Sequence, residues 1–314
     1  MNFNHFTAPG TNTKLNDSSK VITDLKKVGD NTARSIPRFV ESDNYAKSFG
    51  SQWNKFKKTQ LDSHTKNPLS QNRLSTAYGE SLNNLSGLKV LEAGCGSGRF
   101  TEILLKHGAE LYSFDYSNAV DANYDNNMPN DNLTLFQADI RKIPFSEEFF
   151  DVVICLGVLQ HTPSTQESIK ELNRVTKKNG RIVLDHYKFH FGHYLSLYFP
   201  TWFIIKNLPP ERQLQVTDFL TKIFFPLHWF FRKSKFMQFL LRRISPICFY
   251  YGQFDLTKDQ HYEFSRLDTH DKNTDQYKRH LTLKGFHKIM KESPYSSFEI
   301  NSRGNGLECI AIKK

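Results

Sequence analysis

The sequence predicts a doubly wound α/β protein carrying a helical insertion. Three observations predict it. Apolar runs alternate with helical patterns from Leu88 to Leu184, a glycine-rich loop follows the first run, and the alternation breaks after His186 before two closing runs. The composition permits a large core. Of 314 residues 38% are hydrophobic and 24% charged, with 27 Phe, 16 Gly and 12 Pro, which excludes collagenous and wholly disordered chains.

Taken in order, residues 1 to 35 are rich in Asn, Thr, Ser, Asp and Lys, have few apolar positions and read as a flexible arm. From Arg38 to about Leu85 polar and aromatic stretches mix, and FGSQWNKF places Phe49, Trp53 and Phe56 at helical spacing. KVLEAG, ELYSFD, NLTLFQAD, FDVVICLG and RIVLDHY then read as five strands. Between them lie a helix in RFTEILLKHG, a polar helix or loop through Asn130, and a helix in STQESIKELNRVTKKNG that should stop at Gly180. After His186 helical apolar patterns carry Pro200, Pro209, Pro210, Pro226 and Pro246 and read as inserted short helices. LTLKGFHKIMKES is a helix, and SFEINSRGNGLECIAIKK reads as two strands joined by a tight turn, an antiparallel hairpin.

The formal charge of +10 invites phosphate-bearing partners, and its distribution matters more than its total. Between His186 and Tyr250 nine Lys/Arg face only Glu211 and Asp218. The longest central apolar run, Ile223 to Phe231, is broken by Pro226 and His228 and is far shorter than the roughly 18 to 20 residues of a spanning helix. The first residues have neither a basic start nor an apolar stretch, so a cytoplasmic protein is expected. Cys95, Cys155, Cys248 and Cys309 lie far apart without a CxxC pair, so reduced thiols and no metal are expected.

The most informative stretch is VLEAGCGSGRF, in which Gly94, Gly96 and Gly98 form a GxGxG loop between a strand and a helix. Glycines there let the chain turn sharply and let a ligand approach the backbone. Glu92 lies two residues before the loop, Asp115 ends the next strand, and Asp139 follows the one after. Singly each is readable as a solvated strand-end carboxylate; jointly, at these spacings, they mark a nucleotide site. Cys95, inside the loop, reads as a small loop residue.

The order VLEAGCGSGRF, SFDYS, QADIRKIPF, FDVVICLGVLQHTP and ELNRVTKKNGRIVL resembles the class I S-adenosylmethionine-dependent methyltransferases, particularly the type 11 group. The flanking IPRFVESDNYAKSFGSQWNKFKKTQLDS and LDTHDKNTDQYKRHLTLKGF resemble a subgroup found among glycan and secondary-metabolite biosynthesis proteins. The resemblance implies a Rossmann-like, seven-stranded, mainly parallel sheet with a terminal antiparallel hairpin and a helical insertion after the fifth strand. Its expected units are the arm (1–35), a helical cover (36–85), a cofactor-binding core (86–185), a substrate-recognition insert (186–265) and a completion of the sheet (266–314). It implies S-adenosyl-L-methionine as cofactor. Gly94, Gly96 and Gly98 would line its methionine part and Glu92 would orient the amino end. Asp115 would take the ribose, Tyr116 would pack on adenine, Asp139 would accept from the adenine amino group, and Ile140 would complete the slot. Leu156 and Gly157 would flank the sulfonium; FGSQWNKF reads equally as a cover that closes over the cofactor through Phe49, Gln52 and Trp53 or as a helix packed on the sheet for stability alone. Members often carry a zinc ribbon upstream; no cysteine precedes Cys95, so no metal is carried over.

Methyl transfer is an in-line displacement, and a general base assists a hydroxyl or protonated amine. His161 in LQHTP and His186 in LDHY follow the fourth and fifth strands on the rim where open α/β sheets bind ligands, and both are candidate bases. Tyr187, His193 and Tyr194 are further candidates to face the acceptor. The insert should select a small-molecule, glycan or lipid-linked acceptor, and its aromatics interleaved with Lys and Arg suit either a lid or a peripheral contact with anionic membrane. Nucleic acid is not expected, because CLGVLQHTP replaces the Asn/Asp-Pro-Pro-aromatic pattern of base methyltransferases. The rival readings are an NAD-dependent oxidoreductase, opposed by the GxGxG spacing and the hairpin, and a non-catalytic membrane-associated protein with a vestigial pocket, opposed by the intact acids and glycines.

Overall fold

The chain was analysed as a computed structural model that describes residues 5–15, 25–28, 32–41, 44–191, 198–304 and 306–314. Two short strands, β1 (Leu25–Val28) and β2 (Thr32–Ser35), pair antiparallel apart from the main sheet. The main sheet comprises β3 (Lys89–Ala93), β4 (Glu110–Asp115), β5 (Leu133–Gln137), β6 (Phe150–Cys155), β7 (Thr176–Tyr187), β8 (Tyr295–Asn301) and β9 (Gly306–Lys313). Its order is β5-β4-β3-β6-β7-β9-β8, with the first five strands parallel and β9 antiparallel to both neighbours. This is the expected seven-stranded, mainly parallel sheet with its closing hairpin. Chain order reverses direction between β3 and β6, so a crevice opens at their carboxyl ends.

Both sheet faces are covered, which is why the strands read as nearly continuous apolar runs. In β3 the pleat sends Val90 to one core, with Leu74, Leu104 and Val152, and Leu91 to the other, with Phe114, Phe136 and Phe286. Ahead of β3 lie α1 (Lys47–Lys55), α2 (Asp62–Thr65) and α3 (Leu69–Tyr78). The crossovers are α4 (Arg99–Lys106), α5 (Ala119–Asn127) and α6 (Thr165–Val175). After β7 come α7 (Tyr198–Ile205), α8 (Pro210–Phe230), α9 (Lys235–Ile244) and α10 (Lys258–Thr274), and α11 (Leu283–Lys291) leads into β8. Among the described residues no helix is long and apolar enough to cross a membrane, and no group of acids, histidines and cysteines could hold a metal.

Three expectations change. The arm is in part docked: Phe6 is buried against Phe39, Phe136 and Phe145, and the Thr7 amide donates to the Pro144 carbonyl at 2.9 Å. Phe6 burial, Leu15 packing on the same core and the Gly10 amide bond to the Ile143 carbonyl act together against the ordering cost of this segment. Residues 1–4, 16–24 and 29–31 of the arm lie outside the described residues. Helix α6 ends at Val175, not Gly180, because Thr176 turns its hydroxyl back to the Leu172 carbonyl (2.7 Å) and pairs with Phe150. Helix α10 runs unbroken through the expected boundary at residue 265. A reciprocal cap between Thr257 and Gln260 starts it, and its inner face packs on α8.

Candidate functional site

A cleft opens at the switch point, walled by the loop after β3, the ends of β4 and β6, α1, and one side chain of α10. Gly94, Gly96 and Gly98 all have positive φ, at 80°, 53° and 91°. A Cβ at Gly94 would stand 2.2 Å from Val158, and one at Gly98 would stand 2.4 Å from the Asn123 amide oxygen. Both positions therefore demand glycine for packing as well as for conformation. At Gly96 the neighbour is the Trp53 indole, which lies over the loop as a lid from α1.

Beneath the loop Glu92 is buried, and its Oε2 accepts from Thr101 (2.5 Å) and Ser113 (2.7 Å). Its Oε1 and the Ser97 hydroxyl are buried with no partner among the described residues. Burial raises the Glu92 carboxyl to about 7. Asp115 accepts from the Gly96 amide at 3.0 Å and from the Ser117 amide and hydroxyl at 2.8 and 2.7 Å. Burial raises its pKa while those donors pull it down. Its carboxylate thus fixes the glycine loop and keeps lone pairs for a further donor.

Tyr116 lines the cleft and stacks on Tyr45 at 4.7 Å, and Ile140, Leu156 and Gly157 line it too. Asp139 does not reach the wall. Arg141 holds its carboxylate in a fork, Nη2 to Oδ2 at 2.7 Å and Nε to Oδ1 at 3.1 Å, a pairing two residues away that outcompetes a neutral amino group. Gly157 has φ of 79°, and its amide donates to Asp185, a buried carboxylate that Arg73 also grips at 2.5 Å.

The two candidate bases separate. His161 lines the cleft against Phe49, ring centroids 5.1 Å apart, with its Nδ1 3.2 Å from the Tyr277 carbonyl and 3.3 Å from Asp275 Oδ2. Burial opposes its charge, but Asp275 and then Asp271 outweigh burial and raise its pKa. Both Nδ1 partners are acceptors, so the proton sits on Nδ1 and Nε2 is left to take one. His186 is corrected: it is fully buried, bonded to Thr165 (3.3 Å) and the Tyr187 carbonyl, and packed on Phe286. Alternation along β7 sends Asp185 and Tyr187 to the site's side and His186 to the other, and burial lowers its pKa to about 4. It cannot serve as a base.

Beside the cleft a second chamber is walled by Tyr187, Tyr198, Tyr250, Asp268, Lys272 and Lys278 among others, and Asp271 lines both spaces. Burial raises Asp268 to about 6 and also raises Asp271, whose Oδ1 accepts from Gln52 at 3.3 Å. Phe49 and Trp53 wall the cleft, whereas Gln52 reaches it through Asp271. His193 and Tyr194 lie outside the described residues. The sequence reading missed Asp268, Asp271 and Asp275. Their spacing of three and four residues in LDTHDKNTD was the available signal, since it aligns them along one helix face.

A sheet with this order and a glycine loop at its switch point defines a nucleotide-binding α/β enzyme fold. The family model described as a methyltransferase domain matches residues 91–184, the stretch that holds the glycine loop and most of the first five strands of the sheet. The chain is 30% identical over 140 residues to a ubiquinone biosynthesis O-methyltransferase of Coxiella burnetii, covering 44% of this chain and 60% of that protein. It is 29% identical over 149 residues to the Pseudomonas fluorescens protein of the same name, covering 46% and 62%. The chain thus spans about three-fifths of the curated relatives it matches. Among solved structures, the magnesium protoporphyrin IX methyltransferase of Synechocystis PCC 6803 with bound S-adenosylhomocysteine is 16% identical, with a TM-score of 0.46, covering 86% of this chain and 97% of that one.

Proposed function

We propose that the chain moves a methyl group from S-adenosylmethionine to an oxygen or nitrogen of a small-molecule, glycan or lipid-linked acceptor. One observation carries the reading: the glycine-loop cleft meets a second, polar chamber at Asp271, so a cofactor and an acceptor can stand side by side. The cofactor suits the donors present. A buried oxygen of Glu92 and the Ser97 hydroxyl lack partners and fit an ammonium or an ordered water, while Asp115 fits a ribose diol. The bound sulfonium supplies the activated methyl group. Gly94 and Gly96 would hold its methionine part with Gly98 behind them, turned to Asn123 and Asn127 and not lining the cleft, Tyr116 and Ile140 would flank adenine, and Leu156 and Gly157 would border the sulfur. Asp139 would act on adenine only indirectly, through the turn it shares with Arg141.

His161 takes the acceptor's proton at Nε2, and Asp275 stabilises the imidazolium that forms. Trp53 and Phe49 exclude water from above. Oxygen is the favoured acceptor atom because both named relatives are O-methyltransferases. The oxidoreductase and vestigial-pocket alternatives find no support in the matched family. Calorimetric titration tests the reading: S-adenosylhomocysteine should bind and NAD should not, and tight NAD binding without it would overturn the assignment. Labelled methyl transfer into a fractionated extract would then identify the acceptor.

A further inference from the structure

We propose that the outer face of α7, α8 and α9 is a peripheral docking surface for an anionic lipid bilayer, a partner that the methyl-transfer reading neither requires nor names. Helix α8 carries the clearest observation, because it is built inside out. Phe219, Ile223, Leu227 and Phe230 recur at helical spacing and stand 61%, 46%, 45% and 76% exposed. The opposite face, turned inward, is Gln213, Thr217, Thr221 and His228, none more than 2% exposed, with Phe225 (3%) as its one fully buried apolar side chain, packed with Ile247 and Phe249. These polar groups are mostly satisfied within the fold: Thr217 and Thr221 donate to the carbonyls four residues back at 2.9 and 2.8 Å, Gln213 accepts from Ser48 at 2.6 Å, and His228 Nδ1 meets Gln238 at 2.8 Å, its Nε2 alone having no partner among the described residues. A soluble helix normally places its stripes the other way round. Helix α9 likewise exposes Phe236, Phe239 and Ile244, although its own buried residue, Leu241, is apolar, and α7 adds Phe203 and Ile204.

Charge selects the occupant. From Phe219 to Phe254 there is no acidic residue, while Lys222, Arg232, Lys233, Lys235, Arg242 and Arg243 are interleaved with the apolar positions. Among the described residues none of these six makes a salt bridge. Arg243 and Arg232 instead lie over the Phe239 and Trp229 rings at 3.6 and 4.8 Å, stems flat on apolar surface. A second copy of the chain meeting this face would bring like charges together across a low-dielectric contact. Nucleic acid would satisfy the cations and leave the aromatic stripe in water. An anionic bilayer satisfies both, with the rings below the headgroups and the cations among the phosphates. No described helix is long and apolar enough to cross a membrane, so these helices lie in the plane of the interface. Tyr198, Cys248 and Tyr250 of the same insert wall the second chamber, so docking would bring that chamber close to lipid-borne compounds.

The test is co-sedimentation of the full chain with vesicles of phosphatidylcholine alone and of equal parts phosphatidylcholine and phosphatidylglycerol. The chain should pellet with the mixed vesicles, remain in solution with the neutral ones and be released by high salt. The double variants Phe219→Ser/Phe230→Ser and Arg242→Glu/Arg243→Glu should each weaken binding at least about tenfold, the expected scale for two cations near an anionic surface. Their melting should be unchanged, because the side chains contribute little to the folded core. Any of four results would overturn the proposal: failure to pellet with mixed vesicles, variants that bind like the parent, a two-chain mass in solution that Phe219→Ser/Phe230→Ser reduces to one, or duplex DNA binding that this variant retains.

Discussion

In the sheet, Phe114 and Phe136 are fully buried and the acids stand at the strand ends, whereas in α8 the phenylalanines at 219 and 230 face solvent over a buried row of Gln, Thr and His that holds a single phenylalanine, Phe225. The two regions use the same residue types for opposite tasks. The sheet core gains its stability from apolar burial and spends polar groups on the rim, where they meet ligands. The insert pairs its buried polar side chains largely with backbone carbonyls and leaves apolar surface outside. Large-to-small substitutions break or sharpen this contrast most directly. Phe136→Ala should cost about 3 to 5 kcal/mol, the range for emptying a well-packed aromatic site, and denaturant unfolding would measure it.

The next effect is on binding and not on the core. Asp115→Ala removes the acceptor for the Gly96 and Ser117 amides, so the glycine loop loses its anchor as the ribose loses its partner. Affinity for S-adenosylhomocysteine should fall at least about tenfold, with the protein still folded, on the scale of losing one or two charge-assisted hydrogen bonds. Calorimetry with unchanged affinity in a folded variant would remove Asp115 from the site.

The sheet was legible in the sequence because its first four strands are short, mostly apolar and followed by a glycine or an acid, and because parallel strands need crossovers of readable length. The glycine loop was legible because backbone geometry at Gly94, Gly96 and Gly98 leaves few alternatives. Side-chain direction was not. His161 and His186 read alike near the ends of successive strands, yet His161 falls on a short turn after β6 that faces the cleft, whereas His186 lies within β7 and pleat parity turns it to the core. Asp139 resembled Asp115 in spacing, and only the structure reveals Arg141 folded back onto it. For Asp271 the spacing in LDTHDKNTD gives the shared helix face, but that this face meets the cleft depends on how α10 packs across α1 and α8, which the local pattern does not encode.

Two buried titratable groups sharpen the contrast between rim and core through opposite pH dependences. The Glu92 carboxyl is raised from 4.5 to about 7 by burial, so its contribution to stability is complete below about 4.5 and is lost as pH rises through 7. His186 is lowered from 6.5 to about 4, also by burial, so its contribution is complete above about 6.5 and is lost as pH falls through 4. Melting of the cofactor-free protein between about pH 5 and 8 should therefore lose part of its alkaline fall in Glu92→Gln, while His186→Gln removes part of the acid fall. An ammonium arriving beside Glu92 favours the ionised carboxylate, so S-adenosylhomocysteine binding near neutral pH should release protons, measurable as a buffer-dependent heat.

The smallest expected effect is the most discriminating. Phe230 is the most exposed large apolar side chain of the described residues, packed edge-on against Phe231 alone among the described rings. Were α8 an ordinary amphipathic helix, Phe230→Ser would uncover its core face and cost as much as a sheet phenylalanine. On the inside-out reading the serine replaces a ring that already stood in water, so folding stability should change by no more than about 0.5 kcal/mol, the range for surface sites. Urea unfolding of Phe230→Ser beside Phe136→Ala makes the comparison within one protein: a gap of several kcal/mol places the apolar stripe outside the fold's own stability, and a cost at Phe230 near that at Phe136 would mean that the stripe is covered by the chain itself.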